Sequence, residues 1–264
     1  MFKIVLTGAT GVLGSAIIAK LRNENVRFVF IGRNKAKLDA CAIAARPSES
    51  VILVADFADP TATADIFKRI ERVDALVNVA GEQGPIGPFW STDPLHWERA
   101  FRINFLAPAT LCREAMPKFP ATGGRIINVS GGGAAGPRPN LSAYACAKAA
   151  LVRFSETIAA EVAPLGIDVN AIAPGAIASP MTQAILAAGP NASGESEFAS
   201  AQKLIGSVSS NATRAADLVA YLLSPEAKGI TGKFISAIWD DWSTLHQRWP
   251  LPDQDQFTLR RVAQ

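Results

Sequence analysis

The sequence predicts a doubly wound α/β fold, in which helices cover both faces of a parallel sheet of about seven strands to give three layers, α/β/α. Three observations predict it. Short apolar runs alternate along the chain with longer segments of helical period. A glycine-rich loop joins the first apolar run to the first helix. No linker, repeat or low-complexity segment interrupts the 264 residues, so we predict a single domain over residues 1–264.

Each element follows from its local pattern. Strands are predicted where short runs rich in β-branched and other apolar residues lie between turn-forming residues. They cover residues 3–7, 26–31, 51–55, 73–79, 125–129, 168–172 and 233–238. Helices are predicted from the glycine loop to about residue 23 and over residues 35–45, 60–72, 94–116, 142–163 and 213–223. The loop at residues 130–140 contains four glycines and two prolines, and its length favours a functional role.

Composition and charge exclude several classes of protein. The net charge of +3 comes from 26 basic and 23 acidic residues, and no stretch collects enough Lys and Arg for nucleic-acid binding. No apolar run reaches the roughly 20 residues that a membrane helix needs. The three cysteines are far apart, which indicates neither disulfides nor a zinc site and is typical of a reduced, cytoplasmic protein. No cluster of His or carboxylate residues indicates a metal, and no signal peptide is recognisable.

The loop from Thr7 to Gly14 predicts a nucleotide-binding turn. Glycine permits a tight turn and close approach of backbone to a pyrophosphate, and the following helix offers unpaired N–H groups. The spacing differs from the G-x-G-x-x-G fingerprint, and glycines also make purely structural turns, but the position at the first strand–helix junction favours function. The residues predicted to contact the cofactor here are Gly8, Thr10, Gly11, Val12, Leu13 and Gly14.

The end of the second predicted strand indicates which dinucleotide is bound. In such folds an acidic residue at this point holds a ribose 2′-hydroxyl, whereas a nearby arginine suits a 2′-phosphate. Here Gly32 stands where the acid would be, and Arg33 follows it. An arginine fork matches phosphate well, so NADP(H) is favoured over NAD(H). The alternative is a solvated arginine at the start of a helix.

Tyr144 and Lys148 form the candidate catalytic pair. They are four residues apart on a predicted helix and therefore share a face. A phenol with a pKa of ~10 stays protonated at neutral pH, so almost none of it is the phenolate that could act as a base. A nearby ammonium favours the phenolate. Such a pair suits proton exchange with a carbonyl or alcohol. An accidental pair is the alternative, and the position after a strand and a glycine-rich loop favours the catalytic interpretation.

At this point the sequence resembles the short-chain dehydrogenases/reductases, in their compact single-domain form with a Rossmann-like sheet. The resemblance covers nearly the whole chain, and several motifs come in the family's order. They are Thr7–Gly14, Asp56, Asn78-Val79-Ala80-Gly81, Asn104, Ser130, Tyr144-x-x-x-Lys148, Pro174-Gly175 and Ile230-Thr231-Gly232.

The resemblance implies hydride transfer between NADP(H) and a ketone or secondary alcohol, in a homodimer or homotetramer. Tyr144 would exchange a proton with the substrate oxygen, Lys148 would bind the nicotinamide ribose and lower the pKa of Tyr144, and Asn104 would support a water-linked proton relay. The other implied cofactor contacts are Asp56 at the adenine amino group; Phe57, Asn78, Ala80 and Gly81 along the cleft; Pro174, Gly175 and Ile177 beside the nicotinamide; and Ser179 near its carboxamide.

Three departures from the family pattern matter. Gly11 comes one residue before the usual middle glycine, a spacing that looks like nucleotide-sugar enzymes, although the chain is too short for their added substrate domain. Gly131 occupies the usual position of the catalytic serine, so Ser130 is predicted to serve as donor to the substrate oxygen, with a loop-capping hydroxyl as the alternative. The turn Trp239-Asp240-Asp241-Trp242 could close the substrate pocket or form a subunit contact.

Two rival functions stay open. Gly131 is also compatible with a dinucleotide-binding sensor or scaffold that has lost catalysis, and the glycine spacing is the single argument for sugar-nucleotide epimerisation. Residues 181–211 are rich in small residues and are predicted to form a lid over the substrate. Their composition does not identify that substrate. Residues 249–264 are expected to wrap the surface or to end in disorder.

Overall fold

The computed structural model describes residues 1–205 and 210–260. Seven parallel strands of this part form one sheet in the order β3-β2-β1-β4-β5-β6-β7. The strands are β1 Phe2–Thr7, β2 Val26–Gly32, β3 Glu49–Val54, β4 Ala75–Asn78, β5 Gly124–Val129, β6 Ile167–Ala173 and β7 Phe234–Ser236. The predicted doubly wound α/β class is therefore confirmed, with strand ends that differ from the predicted ones by a residue or two.

Helices cover both faces of the sheet, because parallel strands of this kind bury both faces. They are α1 Val12–Leu21, α2 Lys35–Ala44, α3 Pro60–Asp65, α4 Pro94–Phe101, α5 Ala107–Ala115, α6 Ser142–Val162, α7 Pro180–Ser193, α8 Glu195–Ile205 and α9 Asn211–Leu223. On one face, Phe28 of β2 packs in a core with Ile17 of α1 and Leu218 of α9. On the other face, a second core contains Leu111 of α5 and Val162 of α6.

The strand order reverses at β1, which lies between β2 and β4. The chain therefore continues from β1 to β2 and from β4 to β5 in opposite directions across the sheet. Such a reversal opens a crevice at the carboxyl ends of the strands of an α/β sheet, where ligands bind. The glycine loop, the segment after β4 and the segment after β5 all start at this edge.

The helix predicted over residues 94–116 is interrupted. Residues Arg102–Leu106 form a π-helical turn between α4 and α5, and the Ala107 N–H donates to the Arg102 carbonyl five residues earlier. Pro108 has no N–H, so the Asn104 carbonyl has no donor at the usual i+4 position. The helix predicted over 60–72 is also shorter, since α3 ends at Asp65 and a 3₁₀ turn follows at Ile66–Arg69.

The predicted lid, residues 181–211, is mostly helical. Helices α7 and α8 fill it up to Ile205, and residues 206–209 lie outside the described part. A small apolar cluster joins this region to the segment before α6. Leu141 is its fully buried centre, with Ile185 of α7 and Ala201 of α8 against it. Ile86, from the segment after β4, also packs there.

The segment after β7 folds back on the body. The Phe234 N–H donates to the Phe257 carbonyl at 2.7 Å, the Lys233 ammonium donates to the Gln254 and Gln256 carbonyls, and Leu251 is buried. Of the two predicted alternatives for the tail, residues 249–260 follow the first, and 261–264 lie outside the described part. None of the described helices is long and apolar enough to cross a membrane.

The turn after β7 separates its two tryptophans. The Trp242 indole N–H donates to the Ala237 carbonyl at 3.1 Å and its ring packs on the first core. Trp239 is 86% exposed, so it does not share that role. The Asp240 carboxylate accepts from the Ser236 N–H at 2.7 Å and thus ties the turn to β7.

Candidate active site

The glycine loop packs directly on the segment after β4. Gly8 has φ +68°, and a Cβ there would lie 2.6 Å from the Ala80 nitrogen, so only glycine fits. Gly14 is equally constrained, because its Cβ would meet the Gly8 carbonyl oxygen at 2.2 Å. Thr7, a residue that the sequence analysis did not single out, fixes the same contact. Its hydroxyl accepts from the Val79 and Ala80 N–H groups at 3.0 and 3.1 Å.

The N-terminus of α1 opens at this crevice. Its N-cap is Gly11, which has no side chain to cap the first turn. The main-chain N–H groups of Val12, Leu13 and Gly14 precede the first helical bond, which Ser15 donates to the Gly11 carbonyl. Thr10, Gly11 and Val12 are exposed. The loop thus offers donors and a partial positive charge to an anion.

The ends of β2 and β3 lie beside each other. Arg33 is exposed, and its guanidinium makes no ion pair or hydrogen bond with residues 1–205 or 210–260. Asp56 is also exposed, with one carboxylate oxygen accepting from the Ala58 N–H at 3.0 Å. Phe57 differs from the prediction, because its ring is buried in the second core. Its side chain therefore supports the sheet instead of lining the crevice.

Asn78 also has a structural role. Its amide donates to Asn128 Oδ1 at 2.9 Å, and the Asn128 amide donates to the Ser155 hydroxyl at 2.8 Å. This buried chain of polar groups joins β4, β5 and α6. The Asn78 side chain therefore does not line the cleft as predicted, because these partners on the α5/α6 side of the sheet hold it.

Gly81 brings the catalytic candidates together. A Cβ on Gly81 would lie 2.7 Å from Asn104 Oδ1, 3.6 Å from Met181 Cε and 3.7 Å from Lys148 Nζ. The π-helical turn and α6 thus meet at the segment after β4. Asn104 is fully buried, and its amide donates to the Glu82 and Ala100 carbonyls at 2.8 Å each. The Asn104 side chain therefore links α4 to the segment after β4. The main-chain carbonyl of Asn104 has no hydrogen-bond donor at the i+4 position.

Tyr144 and Lys148 lie on the first turns of α6, as predicted. The Lys148 ammonium is 5.7 Å from the centre of the Tyr144 ring and donates to the Val129 carbonyl at 2.8 Å. Burial lowers the pKa of Lys148 to about 8. Burial also raises the pKa of Tyr144, and the Arg138 guanidinium opposes that rise. Near neutral pH the pair is therefore a phenol beside an ammonium.

Ser130 does not take the predicted place of the serine. It is buried, and its hydroxyl donates to the main-chain carbonyl of Lys148 at 3.0 Å. The position that faces the phenol is Gly131, whose Cβ would lie 3.1 Å from Tyr144 Oη. Ser130 directs its hydroxyl towards α6 because its own N–H is fixed in the sheet by the Ile172 carbonyl. The loop-capping alternative describes this geometry better than the donor role does.

The segment after β6 borders the crevice on the far side. Gly175 has φ +78°, and a Cβ there would lie 2.5 Å from Ile238, so this backbone packs tightly against the turn after β7. Pro174 precedes it, and Ile177 packs on the first core while its carbonyl accepts from the Thr182 hydroxyl. Ser179 is the N-cap of α7, and its hydroxyl makes no capping bond.

Arg138 is a functional candidate that the sequence analysis missed. It lies in the loop 130–140, and its guanidinium carbon is 5.5 Å from the centre of the Tyr144 ring. An arginine inside a loop already predicted to be functional was the available signal. No group of three or more His, Cys, Asp or Glu that could hold a metal occurs in the part of the chain that the structure describes.

Comparisons with known proteins show which family the chain resembles. Residues 3–189 match the family model described as short chain dehydrogenase. The short chain dehydrogenase mpl6 of Monascus purpureus is 31% identical over 233 residues, which cover 86% of this chain and 75% of that protein. The 3-oxoacyl-[acyl-carrier-protein] reductase FabG of Rickettsia bellii is 29% identical over 231 residues, or 87% of this chain and 92% of that protein.

A similar solved structure is that of YwfH, an NADPH dependent reductase involved in bacilysin biosynthesis. It superposes with a TM-score of 0.75 and 27% sequence identity, over 89% of this chain and 96% of that one.

Proposed function

Because the chain belongs to the short-chain dehydrogenase/reductase family, a family of NAD(P)-dependent oxidoreductases that act on CH–OH or ketone groups, we propose that it transfers hydride between NADP(H) and a ketone or secondary alcohol. The observation that carries the proposal is the buried pair of Tyr144 and Lys148 beside Gly81, at the edge of the sheet where the glycine loop opens. The substrate is a small molecule with a carbonyl or hydroxyl group.

The crevice fits a dinucleotide. Gly8 and Gly14 allow the close backbone packing that shapes the loop, and the uncapped start of α1 would present its N–H groups to a pyrophosphate. Asp56, exposed two residues after β3, suits the adenine amino group. The main chain at Ala80 and Gly81, and at Pro174 and Gly175, would border the nicotinamide half, together with Ile177 and Ser179.

The preference for NADP(H) rests on Arg33. Its guanidinium is exposed and unpaired within the described residues, directly after Gly32, where an acidic residue would repel a 2′-phosphate. YwfH, a relative of similar fold, is an NADPH dependent reductase. An Arg fork binds phosphate with two parallel hydrogen bonds, so it supplies both charge and orientation.

When bound, the cofactor would supply or accept the hydride, and residues of this chain would donate or accept the proton. For ketone reduction, the Tyr144 phenol donates its proton to the substrate oxygen. The Lys148 ammonium stabilises the phenolate that this leaves and orients the nicotinamide ribose. The Asn104 carbonyl, which has no i+4 donor, holds a water that returns a proton to the site. Alcohol oxidation uses the same groups in reverse.

Substitution of each tyrosine tests the mechanism, because the chain has two. Tyr144→Phe is expected to lower kcat by about 10²–10⁴-fold while leaving the Kd for NADPH nearly unchanged. Tyr221→Phe, which removes a phenol bonded to His246 away from Lys148, is the matched control and should stay active. Turnover is followed by NADPH absorbance with a panel of ketones. Parent-level turnover by Tyr144→Phe on a proven substrate would refute the role of Tyr144.

A second candidate function is a dinucleotide-binding sensor or scaffold. Gly131 favours it, because the residue opposite the Tyr144 phenol is a glycine and supplies no side-chain donor. Single-turnover stopped-flow absorbance separates the two. An enzyme consumes bound NADPH when a ketone is added, whereas a sensor binds NADPH and consumes none with any ketone of the panel.

The proposal has three further parts. Residues 1–264 act as one dinucleotide-binding and catalytic domain, with α7 and α8 as the substrate lid. The chain acts in the cytoplasm. It assembles into a homodimer or homotetramer, which sedimentation of the purified protein would test.

A further inference from the structure

Arg138 is fixed over Tyr144 by a partner on α8. Its guanidinium donates to both carboxylate oxygens of Glu197, at 2.8 and 2.6 Å, in a two-pronged ion pair. Both side chains are less than a quarter exposed. At 5.5 Å from the centre of the Tyr144 ring, the guanidinium lies within the range of a cation–π interaction.

The glycine-rich loop makes room for this arginine. A Cβ on Gly133 would lie 3.2 Å from Arg138 Cδ and 3.0 Å from Ala145 Cα. A larger residue at 133 would therefore push the arginine stem away from α6. The absence of a side chain at Gly133 thus helps to keep Arg138 beside the first turn of α6.

The ion pair joins the loop at residues 130–140 to α8. Leu141, three residues after Arg138, is the buried centre of the small cluster that Ile185 and Ala201 complete. A Cβ on Gly194, which precedes α8, would lie 3.4 Å from the Asn140 amide. Apolar packing and the Arg138–Glu197 pair therefore dock α8 on the same loop.

We propose that Arg138 is a positioning residue for Tyr144, and that Glu197 holds its cation over the phenol when α8 is docked. The inference rests on the proposed role of Tyr144 as proton donor. With glycine at 131, the cations beside the phenol within residues 1–205 and 210–260 are Arg138 from the loop and Lys148 from α6. Docking of the lid thereby couples substrate enclosure to stabilisation of the phenolate.

The charged groups around Tyr144 determine how far Arg138 changes the pKa of its phenol. Lys148 faces the phenol from α6, Arg138 from the preceding loop, and Glu197 acts from α8 through Arg138. Glu82 and Arg99, from the neighbouring segment after β4 and from α4, pair with each other at 3.4 Å. The Arg138 cation opposes the rise in the Tyr144 pKa that burial causes.

The test is a direct titration of Tyr144. In the Tyr221→Phe background Tyr144 is the sole tyrosine, so phenolate absorbance after a stopped-flow pH jump reports its pKa before the protein unfolds. Arg138→Met is expected to raise the midpoint by about 1 pH unit, and Arg138→Lys by less, because the charge is kept. Arg153→Met is the control, because it removes a different ion-paired arginine, one that lies on α6, and it should leave the midpoint unchanged.

A double-mutant cycle tests the part played by Glu197. Glu197→Gln should move the midpoint when Arg138 is present and cause no further change in the Arg138→Met protein. Equal midpoints for Arg138→Met and its parent would overturn the role of Arg138. An equal effect of Glu197→Gln in both backgrounds, or none in either, would overturn the coupling to α8. These titrations use neither substrate nor cofactor, so their outcome is independent of whether hydride transfer occurs.

Discussion

Gly131 stands directly opposite the phenol of Tyr144. A Cβ on Gly131 would lie 3.1 Å from Tyr144 Oη, whereas the hydroxyl of the preceding residue, Ser130, is bonded to the Lys148 carbonyl. The donor that a serine at 131 would supply to a substrate oxygen is therefore missing. In the proposed mechanism, proton transfer then relies on the tyrosine and on the cations around it.

Gly131→Ser should restore that donor. A preorganised hydrogen bond to the developing charge is worth about 10²–10³ in kcat when it is well placed, and the tight 3.1 Å contact allows a part of that gain. We expect kcat/KM on a proven ketone to rise by about 10-fold or more. Gly131→Ala is the control for the added carbon alone, and an equal rise in that variant would rule out the hydroxyl as the cause.

Ser130→Ala separates a structural from a catalytic serine. Loss of the bond from the Ser130 hydroxyl to the Lys148 carbonyl should lower the free energy of unfolding by about 1 kcal/mol. It should leave kcat within about 3-fold of the parent, whereas loss of a substrate-oxygen donor would cost about 10²–10³. Urea unfolding and steady-state rates measure the two quantities. A fall of the larger size would return Ser130 to the catalytic role predicted from the sequence.

The overall arrangement was predictable because its signals are local. Alternating strands and helices, the glycine loop before α1, and the spacing of Tyr144 and Lys148 on α6 each follow from residues close together in sequence. The predicted strands therefore match the sheet to within a residue or two. The break at Asn104 was also encoded locally, through Pro108, but the long helical pattern around it concealed the signal.

The roles of individual side chains were less predictable, because their partners are distant in sequence. Arg138 is held by Glu197, 59 residues later, and Asn78 donates to Asn128, 50 residues later. Ser130 is adjacent in sequence to the position that faces Tyr144, yet neighbouring residues after a strand point in different directions. Spacing alone could place these residues near the site without showing which way each one faces.

Arg33→Ala tests the cofactor preference. The native protein should bind NADPH more tightly than NADH, and the substitution should weaken NADPH binding by about 10-fold or more, the value of a charged hydrogen bond, with little effect on NADH. Lys35→Ala removes a cation on the first turn of α2 that is already paired with Asp39, and serves as the control. Fluorescence titration measures all the affinities. Equal affinities for the two cofactors in the native protein would contradict the assignment.

Lys148 should make stability depend on pH. The folded-state pKa of about 8 lies below the ordinary value of 10.5, so the unfolded chain binds more protons than the folded one between these limits. Stability should therefore rise as pH increases from about 8 towards 10. Lys148→Met removes the buried charge, so it should be more stable than the parent at pH 7 by about 1–3 kcal/mol, although inactive.

The matching measurement is urea unfolding of parent and Lys148→Met at pH 7 and pH 10. The difference between the two proteins isolates Lys148 from other groups that titrate in this range. It should shrink as pH rises. A difference that stays constant across the range would mean that the Lys148 ammonium carries no burial cost.

Residues 250–260 fold back along β7 and cover part of the edge of the sheet. β7 is the last strand, and an edge strand presents N–H and C=O groups that can recruit strands of other chains. The Phe257 carbonyl already occupies the Phe234 N–H, and Lys233 is bound to the same segment. A chain ending at Trp249 would leave this edge open, so it should form aggregates at concentrations where the intact protein stays dispersed. On this prediction, residues 250–260 keep the protein dispersed in solution, a role separate from the chemistry proposed for the crevice.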